Sequence, residues 1–219
     1  MAVRLGLGAN TLQASEVMEG GKAPPVPVHI RSALINSSDD PLITTLSLTK
    51  IQLRAFPIAR LSPSLTQLDL SCNPLTGASA EGISVRLPVL QTLSLSHAHL
   101  TAIPRGLSNY TTLRTLDLSG NALGSSSIER RSLAAQRDAL PRGLTRLSLA
   151  DNNLAAVPVA VWRLAALETL ELHNNQLSSL KSEIEQLGAL KVLRLGNNHF
   201  GTLPSQLGWC GAPMQHGSH

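Results

Sequence analysis

The sequence predicts an α/β solenoid: a curved right-handed stack of about seven repeats, with parallel strands on the concave face and helices or turns on the convex face. Three observations predict it. By count, 41 of the 219 residues are Leu while aromatics are 2% of the chain, so the core must be aliphatic and built almost from one residue type. The pattern L-x-x-L-x-L-x-x-N-x-L recurs from Ile43, Leu65, Leu90, Leu113, Leu144, Leu167 and Leu190, at intervals of 22, 25, 23, 31, 23 and 23 residues. Within a unit the apolar positions change from a period of two to steps of four and three, as where a strand gives way to a helix or helical turn.

In chain order, residues 1–27 read as a flexible N-terminal tail, closed by the structure-breaking Pro24, Pro25 and Pro27. Residues 28–42 read as a cap segment, in which VHIRSALIN forms one short helix presenting Ile30 and Leu34 to the open end of the first repeat. The repeats fill 43–210, and 211–219 is expected to be a short disordered tail. The fourth repeat is longer, with its extra length at 124–143. There Ser125, Ser126 or Ser127 suits a helix N-cap, Glu129 favours its positive end, and Pro141 stops it. A longer solvated helix is the preferred reading of that insertion; the competing one is a basic docking ridge built on Arg130, Arg131 and Arg137.

The sixth unit, LETLELHNNQLSSLKSEIEQLGA, shows the design. Positions 3 to 6 alternate out and in, the period of a half-buried strand. Positions 14, 18 and 21 (Leu180, Ile184 and Leu187) suit a helical segment folding back on the strand. One unit cannot bury its own Leu set, but stacked units make the aliphatic column continuous and pair their strands in parallel. Repeat stacks also need covered ends, and the short polar GAPMQHGSH offers no capping helix. The C-terminal surface of Leu190, Leu193, Leu195, Leu203 and Leu207 is therefore expected to be covered by a partner, a second copy or further residues.

These residues resemble the leucine-rich repeat family, over about 41–210. The resemblance implies a structural Asn at position 9, met by Asn73, Asn121, Asn152, Asn175 and Asn198. An amide there carries donors and an acceptor for backbone groups left open where the strand turns away. Ile51 and Ala98 depart from the pattern, and their turns are expected to be locally weaker. Pro57, Pro104, Pro158 and Pro204 follow the aliphatic position 14, giving an L-P-x-x-L form similar to intracellular repeat proteins of the Ras-suppressor type. Leu140-Pro141-Arg142-Gly143-Leu144 also looks like the repeat junction of a bacterial effector group, but 23-residue units with full helical segments favour the first.

Composition narrows the function. No stretch approaches the roughly 18 apolar residues of a spanning helix, so no membrane association is expected. The N-terminus lacks an apolar secretory core, and Glu16 and Glu19 argue against a mitochondrial presequence. Cys72 and Cys210 stand 138 residues apart, which favours a reducing compartment. The expected location is intracellular, most simply cytoplasmic, with organelle or cilium as alternatives, so the glycosylation-type sequences at Asn36 and Asn109 carry little weight. A net charge of +4 with 14 Arg against 4 Lys shows no basic cluster, and no nucleic acid is expected. His97, His99, His173 and His199 are scattered among units without a completing Cys or carboxylate, so neither metal nor cofactor is expected. Cys72 has only His97 as a nearby base, and a bland free thiol is the better reading. No catalysis is expected.

What remains is the outward strand face. Position 3 runs Thr45, Gln67, Thr92, Thr115, Arg146, Thr169, Val192; position 5 runs Ser47, Asp69, Ser94, Asp117, Ser148, Glu171, Arg194. Position 7 is Ser or Thr in units one to four, then Ala150, His173 and Gly196. The resemblance implies a non-catalytic protein-interaction scaffold or regulatory subunit; the alternatives are a structural component of a large assembly (ciliary or ribosome-associated) and the repeat module of a larger effector or enzyme. The expected contact residues are Arg146, Glu171, His173 and Arg194, with Asp69 and Asp117 secondary, and Glu171 is expected to meet Arg194. The residues do not name the partner.

Overall fold

The computed structural model describes residues 3–8, 11–16, 44–54, 61–75, 87–124 and 140–201. Among the described residues it is built on one sheet of nine strands that follow one another in sequence order. Strands β3 (Thr45–Thr49), β4 (Gln67–Asp69), β5 (Thr92–Ser94), β6 (Thr115–Asp117), β7 (Arg146–Ser148), β8 (Thr169–Glu171) and β9 (Val192–Arg194) are the seven repeat strands. All pair in parallel with the register the repeat pattern requires, so Ser47, Asp69, Ser94, Asp117, Ser148, Glu171 and Arg194 form one row.

The alternation that makes these strands also makes the core. Leu at position 4, from Leu46 through Leu193, is buried in every unit, as is Leu at position 6 from Leu48 through Leu172. Only Leu195, in the last repeat, is partly buried, packed with Phe200 against the core. At roughly 25 cal/mol per Å² of apolar area removed from water, each such Leu contributes about 1.5–3 kcal/mol.

The reading of 1–27 as a flexible tail does not hold over 3–8 and 11–16. Strands β1 (Val3–Gly8) and β2 (Thr11–Glu16) form an antiparallel hairpin, with Gly8 opposite Thr11, and β2 pairs in parallel with β3 from Thr11–Thr45 to Ser15–Thr49. Val3, Leu5 and Leu7 alternate with Arg4, Gly6 and Gly8, the period of a strand. Docking them supplies backbone partners to β3, whose outer edge would otherwise present unpaired N–H and C=O groups. The cap segment 28–42, the insertion helix within 125–139, Pro57, Pro204, Cys210 and the tail 211–219 lie outside the described residues.

The convex segments differ from full helices. Among the described residues they are three short 3-10 helices, Leu107–Asn109, Val159–Arg163 and Ser182–Gln186. In the fifth unit the amides of Val161, Leu164 and Leu167 donate to the carbonyls three residues before them, at 2.9 to 3.1 Å. The sixth repeats the pattern at Ile184, Leu187 and Leu190. Pro158, at φ −56°, opens one of these segments. A chain that must descend, turn and re-enter the next strand within about ten residues closes i to i+3 bonds, and 3-10 runs stay short. The preference for Ras-suppressor-type repeats on the strength of full helical segments therefore loses that support.

The Asn column joins the turns. Asn73 Oδ1 accepts the amides of Ile51 and Leu53 at 3.0 and 3.1 Å, while its Nδ2 donates to the carbonyls of Leu48 and Leu70 at 2.6 and 2.8 Å. Asn121 serves Ala98, Leu100, Leu95 and Leu118 in the same way. Asn175 serves Asn152, Leu154, Leu149 and Leu172. Asn198 accepts from Leu177 and donates to Leu172 and Leu195. Asn152 donates to Leu118 and accepts from Leu123 at a long 3.4 Å. Each amide thus completes the turn of the preceding unit. That corrects the expectation for Ile51 and Ala98: their own turns are served by Asn73 and Asn121. The turn that loses an amide to Ala98 is that of the second unit, where Leu75 donates to the backbone carbonyl of Ala98 at 3.0 Å instead.

The concave strand face as the candidate functional site

Residues at positions 3 and 5 point away from the Leu core and line the open face of the sheet. Strand burial alternates accordingly: Arg146 and Arg194 are exposed, while Asp69, Asp117 and Glu171 are half-buried on the same side. None of these charges enters the core. Half of the face is small and hydroxylated: Thr45, Ser47, Thr92, Ser94, Thr115, Ser148 and Thr169.

Its charges are not equivalent. Arg194 Nη1 lies 3.3 Å from Glu171 Oε1, the pairing expected from their shared repeat position. Asp69 Oδ1 accepts the amide of Ser71 at 2.9 Å and its hydroxyl at 2.5 Å, and Ser71 Oγ meets Ser94 Oγ at 2.7 Å. Asp117 Oδ1 accepts the amide of Ser119 at 2.9 Å. Both aspartates therefore brace the exit of their own strands in Asx-type turns. Arg146 differs: its side chain makes no hydrogen bond or ion pair among the described residues. His173 is half-buried, with its Nδ1 enclosed and without a partner.

Sequence reasoning missed a feature at the rim. Position 8 is left-handed in all seven units, at Lys50, Cys72, His97, Gly120, Asp151, Asn174 and Asn197, with φ between 50° and 64°. Asn and Asp tolerate this region best among residues with a Cβ. In the last three units they also form a ladder, Asn197 Nδ2 donating to Asn174 Oδ1 at 2.7 Å and Asn174 Nδ2 to Asp151 Oδ1 at 2.9 Å. The repeated D-N, N-N, N-N pairs at positions 8 and 9 carried that signal. His97 lies across Gly120, where an added Cβ would collide with its ring. Cys72 is a free, half-buried thiol on this rim. Among the described residues no group of three or more His, Cys, Asp or Glu is placed to hold a metal ion. No helix there is long and apolar enough to cross a membrane.

The stacked strands, the Leu columns and the Asn ladder define a repeat-built α/β solenoid with an open sheet face. Leucine-rich repeat sequence models match residues 63–123 and 142–200, more than half of the chain. The chain belongs to the leucine-rich repeat family. No curated protein sequence matches it. Of solved structures, 210 chains match. One is from the Toll–Spatzle complex, described as a molecular hub in Drosophila development and innate immunity, with a TM-score of 0.57 and 19% identity. The likeness covers 75% of this chain and 22% of that one, and it is a likeness of fold.

Proposed function

We propose that this protein is a non-catalytic interaction module that binds a protein partner through its concave strand face. The module is taken to run over 43–210 in an intracellular, reducing compartment, acting as a scaffold or regulatory subunit. The observation that carries this reading is the continuous row of solvent-facing strand residues, held in fixed register by the Leu core and the Asn ladder. A rigid, small-residue surface of this kind lets a partner's side chains reach the sheet with little ordering cost. The contact residues are Arg146, Glu171, His173 and Arg194, with Asp69 and Asp117 outside the main patch because their carboxylates are engaged by Ser71 and Ser119.

The experiment is co-purification of a stoichiometric partner, followed by bulky substitutions on each side of the solenoid. Thr169→Arg and Ser148→Arg are expected to release it, and Glu185→Arg, on an exposed convex segment, to leave it bound. A partner released only by the convex substitution contradicts the reading.

A further inference from the structure

The charge pattern of the concave face selects one residue. Arg146 sits on β7 with its Cα in register with Thr115 on β6 and Thr169 on β8. Asp117 and Glu171 stand two residues further along those flanking strands, at diagonal positions about 7–8 Å away, within reach of a long side chain. Neither takes it. Asp117 is turned to the amide of Ser119, and Glu171 to Arg194. Of the two arginines on the face, one is thus neutralised in place and the other presents its guanidinium to solvent.

We propose that Arg146 anchors a single carboxylate, an Asp or Glu side chain of a protein partner seated on this face. The proposal rests on the protein-binding reading above and specifies its chemistry. A guanidinium offers a planar fork that matches a carboxylate with two parallel hydrogen bonds. Thr115, Ser148 and Thr169 surround it with short hydroxyls that leave room for an approaching chain and supply further donors. The flanking carboxylates set the class of partner. Asp117 and Glu171 repel a polyanion laid across the face, which disfavours a nucleic-acid backbone, but they leave space between them for one acid aimed at Arg146. Arg194 is not equivalent, because a partner's acid must first displace Glu171.

The test is selection of binders to the whole protein from a randomised dodecapeptide library, counter-selected against Thr169→Trp to retain those that need the concave face. The recovered peptides are expected to share one Asp or Glu at a fixed position. Arg146→Gln should weaken a synthetic binder at least tenfold. Changing its acid to the amide should weaken it by a similar factor, and the two changes together should cost little more than either alone, the signature of a direct pair in a double-mutant cycle. Binders without a shared acid, or losses that multiply in the double variant, overturn the assignment to Arg146 while leaving concave-face binding intact. An oligothymidylate that competes for the same site with a tighter apparent Kd also overturns it. A library yielding no binder blocked by Thr169→Trp contradicts concave-face recognition, and this proposal with it.

Discussion

Arg194 on β9 and Glu171 on β8 lie 3.3 Å apart across neighbouring repeats, an ion pair on the open face of the sheet. With the Arg194 side chain about half exposed, the pair is screened by water and holds two long side chains at an entropic cost. Its contribution to folding is at most about 1 kcal/mol. Glu171→Gln is therefore expected to leave the urea midpoint nearly unchanged. A loss above about 2 kcal/mol would mean that the pair is structural and unavailable to a partner.

The buried Asn73 matters far more. It is fully buried, and its amide bonds to Ile51, Leu53, Leu48 and Leu70. Asn73→Ala orphans two donors and removes the bridge between two units, so a destabilisation of about 2–4 kcal/mol is expected. The effect should be directional. Hydrogen exchange should accelerate first at Ile51 and Leu53 in the preceding turn, rather than in the turn that contains Asn73. Acceleration confined to the residue's own turn would show that the ladder does not couple units in this sense.

The strands and the ladder were legible because burial obeys a strict period: Leu170 and Leu172 point inward, so Thr169 and Glu171 must point outward. The Glu171–Arg194 pair followed from the same arithmetic. The hairpin was not legible, since Gly6 and Gly8 weaken the strand signal of 3–8 and its docking on β3 is a tertiary event. The convex segments misled because apolar steps of four and three suit an α-helix as well as a succession of 3-10 turns. Left-handed Lys50 and Cys72 gave no local sign, being imposed by the register of their neighbours. The isolation of Arg146 could be seen only once the two nearest acids were found turned away.

Gly120 tests the rim geometry. Its φ is 64°, and an added Cβ would run into the His97 ring. Gly120→Ala is expected to destabilise by about 1–3 kcal/mol, partly from the left-handed backbone and partly from the clash. Adding His97→Ala should recover the clash component alone. Thermal unfolding of the two single variants and the double variant separates the contributions. Full recovery would show that backbone strain is negligible there.

Tyr110 gives the chain an alkaline weakness. Its hydroxyl is buried without a partner, and desolvation raises the phenol above its usual pKa of about 10. The folded state thus keeps its proton while the unfolded state loses it, so stability is fully present below about pH 10 and falls as pH rises beyond that. Tyr110→Phe is expected to remove that part of the alkaline fall and to be neutral or slightly stabilising at neutral pH, because it deletes an unpaired buried hydroxyl. Denaturant titrations at pH 7 and pH 11 check both. An unchanged alkaline slope would assign the loss to other groups.

Photo-cross-linking in cells, from a benzophenone amino acid placed at Thr115, Thr169 or Glu185, tests whether the concave face receives the protein partner. One discrete protein adduct is expected from the two strand positions and none from the convex position. An adduct from Glu185 with none from Thr115 or Thr169 would contradict concave-face binding.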